Sequence, residues 1–110
     1  WTPETVQKVA AVQPEVWMEI LRLMVLARRV DERLNKLCRQ GRLRGSAFAG
    51  IGQEAISAAV AVASRPEDLF APCIRNLPLH LGRGETPLGV FRQALARAEG
   101  PTCGRDGNVH

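Results

Sequence analysis

The chain has 110 residues, 45% of them hydrophobic, and a formal net charge of +4, which suits one domain or less and excludes a disordered chain. No run of about 18 apolar residues is present to cross a membrane, and residues 1–13 do not resemble a signal peptide. The three cysteines, Cys38, Cys73 and Cys103, are widely spaced and form no Cys-x-x-Cys pair. We therefore expect no disulfide framework, no zinc site, and a reducing intracellular location, cytoplasmic in a bacterium.

Arginine dominates the basic residues, with 13 Arg against 2 Lys. These side chains either form a solvated basic surface, or some of them contact phosphates, which the guanidinium group binds in bidentate fashion. Asp31 and Glu32 interrupt the basic residues of the first long segment, and no stacking aromatic residues accompany them. We therefore predict that neither nucleic acid nor a membrane is a partner.

The first predicted element is a long amphipathic helix. Residues 1–13 are interpreted as a lead-in segment, and Pro14 suits a first helical position. From there apolar residues recur at a spacing near 3.5, which predicts a helix over about 14–40. Gly41 is a suitable stop for it.

The remaining elements are shorter. A second helix is predicted from about Gln53 to Ser64, and because it is apolar on nearly all sides we expect it to be buried. Residues 69–74 are predicted as a short strand, which Pro72 limits to a strand end or an edge. A loop with a helical turn over 75–84 then leads to a helix over 87–98, and residues 99–110 are predicted as a glycine-rich loop.

Two charged residues have both a structural and a functional interpretation. Glu54 lies in the first turn of the second predicted helix, where it either caps that helix or marks a helix N-terminus that faces a ligand cleft. Arg75 follows the predicted strand, where it either forms a surface ion pair or reaches a ligand such as a diphosphate. His80 and His110 have no second ligand at metal spacing, so no protein-only metal site is predicted.

An ordered series of short motifs gives the chain a family resemblance, because it extends without a gap from about Ile20 to His110. The segments are Arg44-Gly45, Gly52-Gln53-Glu54-Ala55, Arg65-Pro66-x-Asp68, Ile74-Arg75, Leu81-Gly82-Arg83-Gly84, Thr86-Pro87 and Gly104-Arg105-x-Gly107-Asn108-Val109-His110. In this order the chain resembles the N-terminal portion of the alpha subunit of the thiamine-diphosphate-dependent 2-oxo acid dehydrogenases.

The resemblance implies a fold, a reaction and partners. The full subunit would have the α/β thiamine-diphosphate-binding fold, a parallel sheet with flanking helices, of which this part is mainly α-helical. It would pair with a beta subunit, and thiamine diphosphate and Mg²⁺ would lie between the two. A 2-oxo acid would be decarboxylated there, and the acyl group would pass to lipoyl-lysine on the acyltransferase core.

The resemblance also implies three cofactor-binding residues. Arg75 matches the arginine of a common Tyr-Arg pair and is expected to hold the diphosphate, whereas Ile74 replaces the tyrosine. Phe48 stands where pyruvate-specific members often have a cofactor-contacting histidine. These apolar replacements are compatible with branched-chain as well as pyruvate-type substrates. No catalytic residue is predicted, and the magnesium ligands of the family are expected to lie beyond position 110.

Our interpretation is therefore that residues 14–110 form the N-terminal part of a dehydrogenase domain, which stops before the metal motif and is inactive alone. One alternative is the alpha subunit of an acetoin dehydrogenase, which shares the motifs and differs in substrate. A second alternative is a non-catalytic helical interaction fragment, which Ile74 in place of tyrosine would favour.

Overall fold

The computed structural model describes residues 1–107 and consists of five helices within that part of the chain. They are α1 (Pro3–Ala10), α2 (Pro14–Arg39), α3 (Glu54–Ala63), α4 (Leu77–Gly82) and α5 (Pro87–Ala94). The end of the glycine-rich motif, residues 108–110, lies outside the described residues. The prediction of a mainly α-helical part is confirmed.

Helix α2 is the scaffold on which the other helices pack. It begins at Pro14 and is followed by Gly41, whose φ of 67° allows the amide of Arg42 to donate to the carbonyl of Leu37 at 3.0 Å. Helices α3, α4 and α5 contact α2, and α3 also packs on α4. The core formed in this way contains Leu23, Ala27, Val30, Ala58, Ala61, Leu77, Leu79, Leu81 and Val90.

The lead-in segment contains a helix that the sequence interpretation does not include. Helix α1 begins at Pro3, and the hydroxyl of Thr2 accepts a hydrogen bond from the amide of Thr5 at 3.2 Å. The pair Thr86–Pro87 starts α5 in the same way, with the Thr86 hydroxyl accepting from the amide of Gly89 at 3.0 Å. None of the residues of α1 is buried, so local capping stabilises it rather than packing.

The second helix, which we expect to be buried, is only partly covered within this chain. Ala58 and Ala61 of α3 are buried, but Ile56 is 69% exposed and Val60 is 44% exposed. Ala58 and Ala61 lie three positions apart on one face of α3. This face belongs to the core that α3 forms with α2 and α4.

The predicted strand over residues 69–74 is also wrong, since the part of the chain that is described contains no strand. A strand needs a neighbouring extended segment to pair with its backbone. The adjoining turn is held by a side chain instead: the guanidinium of Arg83 donates to the carbonyls of Arg65, Pro66 and Asp68 at 2.9–3.1 Å. The same group lies 5.4 Å from the centre of the Phe70 ring.

Helix α5 ends at Ala94, four residues earlier than predicted. Ala96 adopts a left-handed φ of 50°, and the amide of Arg97 donates to the carbonyl of Arg92 at 2.9 Å. The buried Gln93 then fixes the following loop, with hydrogen bonds between its carboxamide and Thr102 at 2.7 and 3.0 Å. The left-handed position after a helix is usually a glycine. Because Ala96 occupies it here, the sequence did not indicate where α5 ends.

Candidate functional site

A cleft lies beside the C-terminal half of α2, and segments distant in sequence form its other walls. Its walls come from α2, the 43–48 loop, residues 74–77 and α5, and Gly107 lies at its edge. The cavity has a volume of about 60 Å³, which is room for a few water molecules. A ligand of cofactor size would therefore extend beyond the space that these residues enclose.

The three predicted cofactor-binding residues all line this cleft. Phe48 belongs to the 43–48 loop, and Ile74 and Arg75 belong to the segment before α4. The Cζ atom of Arg75 lies 5.9 Å from the centre of the Phe48 ring, a distance at which a cation is attracted to an aromatic face. The structure thus brings together residues that are 27 positions apart in sequence, Phe48 and Arg75.

Arg75 combines an unusual backbone with an uncompensated charge. Its φ of 76° lies in the left-handed region, which a non-glycine residue adopts at a cost of about 1 kcal/mol or more. The six ion pairs found among the described residues do not include it. The surface ion pair considered as an alternative is therefore not formed within residues 1–107, and the guanidinium is available to an anion.

Helix α2 positions the segment that contains Arg75 through the buried Asp31. The amide of Gly50 donates to Oδ2 of Asp31 at 3.0 Å, and Asp31 is 5% exposed. A Cβ atom on Gly50 would lie 2.8 Å from the carbonyl oxygen of Arg75, so only glycine permits this approach. The aspartate therefore fixes the loop, and the loop in turn limits where Arg75 can lie.

Burial raises the pKa of the Asp31 carboxyl above its ordinary value, because desolvation disfavours the charged form. The hydrogen bond from Gly50 and the charge of Arg28 act in the opposite direction, and the charge of Glu54 adds to the rise. Among residues 1–107, Asp31 is the only carboxyl group that lines the cleft.

Glu54 acts as a tie between α2 and the start of α3. One carboxylate oxygen accepts from Nε of Arg28, and the other accepts from the amide of Gly52 at 2.9 Å. The hydrogen bond with Arg28 lowers the pKa of Glu54, although burial opposes this shift. Neither Glu54 nor Gly52 lines the cleft, so the structure supports a structural role for this glutamate.

Asn76 is a cleft residue that the sequence interpretation missed. It precedes α4 but makes no side-chain capping bond, and it is only 8% exposed. Its Nδ2 atom is buried and has no hydrogen-bond partner among residues 1–107, a situation that costs roughly 1–3 kcal/mol when nothing is bound. An asparagine before a helix ordinarily indicates a cap, so the sequence held no signal for this role.

The polar groups of the cleft are suited to an anionic ligand rather than to a metal ion. Arg75 provides an unpaired positive charge, and Asn76 provides an unsatisfied donor beside it. No group of three or more His, Cys, Asp or Glu residues that could hold a metal ion exists within residues 1–107. His80 lines the cleft, whereas His110 lies outside the described residues.

Cys38, Cys73 and Cys103 are all free thiols. No helix in the described part of the chain is long and apolar enough to cross a membrane.

Comparison with known proteins agrees with the resemblance of the motifs. Residues 21–110 match the family described as dehydrogenase E1 component. The alpha subunit of the mitochondrial pyruvate dehydrogenase E1 component of Pisum sativum is 28% identical over 97 residues, 88% of this chain and 24% of that protein. The corresponding subunit of Rickettsia bellii is 29% identical over 96 residues, 87% of this chain and 29% of that protein.

The chain spans about a quarter of the length of the curated relatives it matches. No solved structure matches it. The family match covers 90 of the 110 residues, from 21 to 110, and contains every residue of the cleft. The chain therefore belongs to the dehydrogenase E1 component family.

Proposed function

We propose that the chain is the N-terminal part of a 2-oxo acid dehydrogenase alpha subunit, with residues 14–110 contributing to a thiamine-diphosphate-binding domain. The observation that carries the proposal is the cleft, where Phe48, Ile74 and the unpaired Arg75 meet. The family resemblance assigns these residues by their positions in the sequence, independently of their positions in space. Their convergence supports one binding site and disfavours a non-catalytic fragment.

The cleft residues have separate tasks in this proposal. Arg75 holds a diphosphate oxygen through its guanidinium, which is matched to phosphate geometry. Phe48 and Ile74 give apolar contact to the ligand. The Phe48 ring also attracts the Arg75 guanidinium, whose Cζ atom lies 5.9 Å from the ring centre. Thiamine diphosphate, when bound, supplies the electron sink for decarboxylating a 2-oxo acid. This chain binds and orients it, and Mg²⁺ would be held by residues outside the chain.

The substrate proposed first is pyruvate, because the relatives described above are named for pyruvate dehydrogenase. The apolar Ile74 and Phe48 are also compatible with a branched-chain 2-oxo acid. A beta subunit would complete the cofactor site, and the acyl group would pass to a lipoyl-bearing acyltransferase. We place this complex inside the cell, in the bacterial cytoplasm or an equivalent compartment, where the three free thiols are stable.

The test is made on the full alpha subunit assembled with its beta partner. Thiamine diphosphate uptake is measured by calorimetry, and dye reduction is measured with pyruvate, a branched-chain 2-oxo acid and acetoin in turn. We expect Arg75→Gln to weaken cofactor binding roughly tenfold or more, since a hydrogen bond to a charged group is lost. If the complex reduced the dye with acetoin but with neither 2-oxo acid, acetoin would replace the 2-oxo acids as the proposed substrate.

Arg33→Gln is the matched control for this experiment. Arg33 is exposed on α2 and does not line the cleft, so its substitution should leave cofactor affinity unchanged. Equal losses in the two variants would mean that net positive charge matters and not the cleft arginine. An assembled complex that takes up no thiamine diphosphate would refute the proposed function.

A further inference from the structure

The side chain of Asn76 does not do what its position in the chain suggests. The residue stands at the N-terminal boundary of α4, and its main-chain carbonyl accepts from the amide of Leu79 at 2.8 Å. Its carboxamide makes no capping bond to the helix. The backbone therefore accounts for the turn, and the polar side chain is left without a structural task there.

The carboxamide is instead buried in the wall of the cleft. Asn76 is 8% exposed, its Nδ2 atom is shielded from solvent, and that atom has no hydrogen-bond partner in the described part of the chain. Buried donors are almost always satisfied in folded proteins, and those without a partner in the protein are commonly satisfied by a ligand or an ordered water. Asn76 is one of the residues that line the cleft, so a ligand held there is the partner that we consider.

The charges around this donor indicate the kind of partner. Arg75 is the neighbouring residue in the cleft wall, and its guanidinium has no carboxylate partner among residues 1–107. Asp31 faces the same cleft, but its Oδ2 atom already accepts from the amide of Gly50 at 3.0 Å. A cation beside an unsatisfied N–H donor is the pair of groups that an anionic oxygen requires.

We propose that Asn76 is a ligand-binding residue of the cleft, which donates a hydrogen bond from Nδ2 to an anionic oxygen of the ligand held by Arg75. The inference rests on the proposed function, within which the oxygen belongs either to the diphosphate or to the carboxylate of the 2-oxo acid. The two residues differ in what they contribute. Arg75 is exposed and attracts charge, whereas the buried Asn76 has a fixed direction and orients the bound group.

The test uses Asn76→Leu, which keeps the shape of the side chain and removes its polar atoms. It is made in the full alpha–beta complex, with Asn76→Asp as a second variant that removes the donor and adds a negative charge. Three quantities are measured: the melting temperature without cofactor, the Kd of thiamine diphosphate by calorimetry, and KM for pyruvate. Asn35→Leu, at a half-buried position on α2 outside the cleft wall, is the matched control.

We expect Asn76→Leu to keep or raise the melting temperature, because an unsatisfied buried donor is removed. The same variant should bind its ligand roughly tenfold more weakly, and Asn76→Asp more weakly still. A raised Kd for thiamine diphosphate assigns the oxygen to the diphosphate. An unchanged Kd with a raised KM assigns it to the 2-oxo acid. Asn35→Leu should change neither binding constant.

Two results would overturn the inference while leaving the proposed function intact. One is wild-type Kd and KM in both Asn76 variants. The other is a lowered melting temperature or failure to assemble in Asn76→Leu together with wild-type binding in Asn76→Asp, which would identify a structural residue. If the wild-type complex takes up no thiamine diphosphate, the proposed function is refuted and the inference with it.

Discussion

Two neighbouring carboxylates show how differently single residues respond to burial. Asp31 has a raised pKa because desolvation outweighs its one backbone hydrogen bond. Glu54 has a lowered pKa because the hydrogen bond from Arg28 outweighs desolvation. Burial therefore favours the neutral form of Asp31, whereas the hydrogen bond from Arg28 favours the charged form of Glu54, although both side chains are buried.

Glu54→Gln tests this contrast through the pH dependence of stability. A carboxylate with a lowered pKa stabilises the fold above its unfolded value of 4.5, and this contribution is lost as the pH falls through the folded value. At neutral pH we expect the variant to lose about 1 kcal/mol of unfolding free energy, a figure reduced because Arg28 is partly exposed. Urea unfolding of the chain at neutral pH and at about pH 3 measures the difference, which should shrink in acid.

Asp31→Asn is the control, because the pKa of Asp31 is shifted in the direction opposite to that of Glu54. The contribution of a carboxyl with a raised pKa is fully present below its unfolded value of 3.8 and is lost as the pH rises through the folded value. An asparagine oxygen can still accept from Gly50, so this variant should be as stable as the wild type, or more stable, at neutral pH. If the unfolding free energies of the two variants changed with pH in the same way, the causes assigned to the two pKa shifts would be contradicted.

At the scale of elements, the close contact between α3 and α4 depends on small residues. A Cβ atom on Gly82 would lie 2.5 Å from Cβ of Ala61 and 3.0 Å from Cδ1 of Leu23. Neither neighbour can move freely, because both belong to the core. The spacing of these helices, and with it the position of the segment before α4 that carries Arg75, is set by this glycine.

Gly82→Ala should therefore lower the unfolding free energy by about 1–3 kcal/mol, because the added methyl group overpacks the contact between the helices. The measurement is the urea midpoint of the chain. Gly45→Ala is the matched control, since a Cβ atom there meets nothing within 4 Å. A gain of stability in Gly82→Ala would mean that the helices can separate without loss and that glycine is there for another reason.

At the scale of the whole molecule, the chain is more extended than its length requires. Its radius of gyration is 15.5 Å, against about 13 Å for a compact chain of this size. Helix α1 is exposed along its length, and large apolar side chains of α2 and α3 face outwards, among them Trp17, Met18, Leu21, Ile56 and Val60. These side chains contribute little to the stability of the chain itself.

Ile56→Gln tests that statement. Because Ile56 is 69% exposed, the substitution should change the unfolding free energy by less than about 0.5 kcal/mol. Self-association, measured by sedimentation, should decrease because the exposed apolar area is smaller. Ala58→Gln, at a fully buried position on the same helix, is the comparison and should cost more than about 1 kcal/mol. Equal costs would mean that the outer face of α3 is packed.

The features that could be predicted from the sequence are those with a local cause. Helix α2 follows from its apolar periodicity and its terminal proline and glycine, and the start of α5 follows from Thr86–Pro87. Phe48, Ile74 and Arg75 were assigned by their sequence positions in the family resemblance, which gives residues but not distances. Their meeting in space depends on Gly50 and Asp31, which are far apart in sequence.

The features that could not be predicted have causes elsewhere in the fold. The segment 69–74 contains apolar residues typical of a strand, but it pairs with no other segment as a strand within residues 1–107. The side chain of Asn76 has an orphan donor only because the fold buries it. Local sequence patterns report neither burial nor pairing between distant segments, so both features required the structure.

The contact between Arg83 and the 64–68 turn also determines how that turn opens. One guanidinium group holds three carbonyls and contacts the Ser64 hydroxyl at 3.3 Å, so these bonds break together when the side chain swings away. Loss of the Arg83 side chain would release these carbonyls together. The amides of Arg65 and Asp68 would keep their own partners, the Asp68 carboxylate at 2.8 Å and the Arg65 carbonyl at 3.1 Å, so the turn would loosen without losing its internal hydrogen bonds.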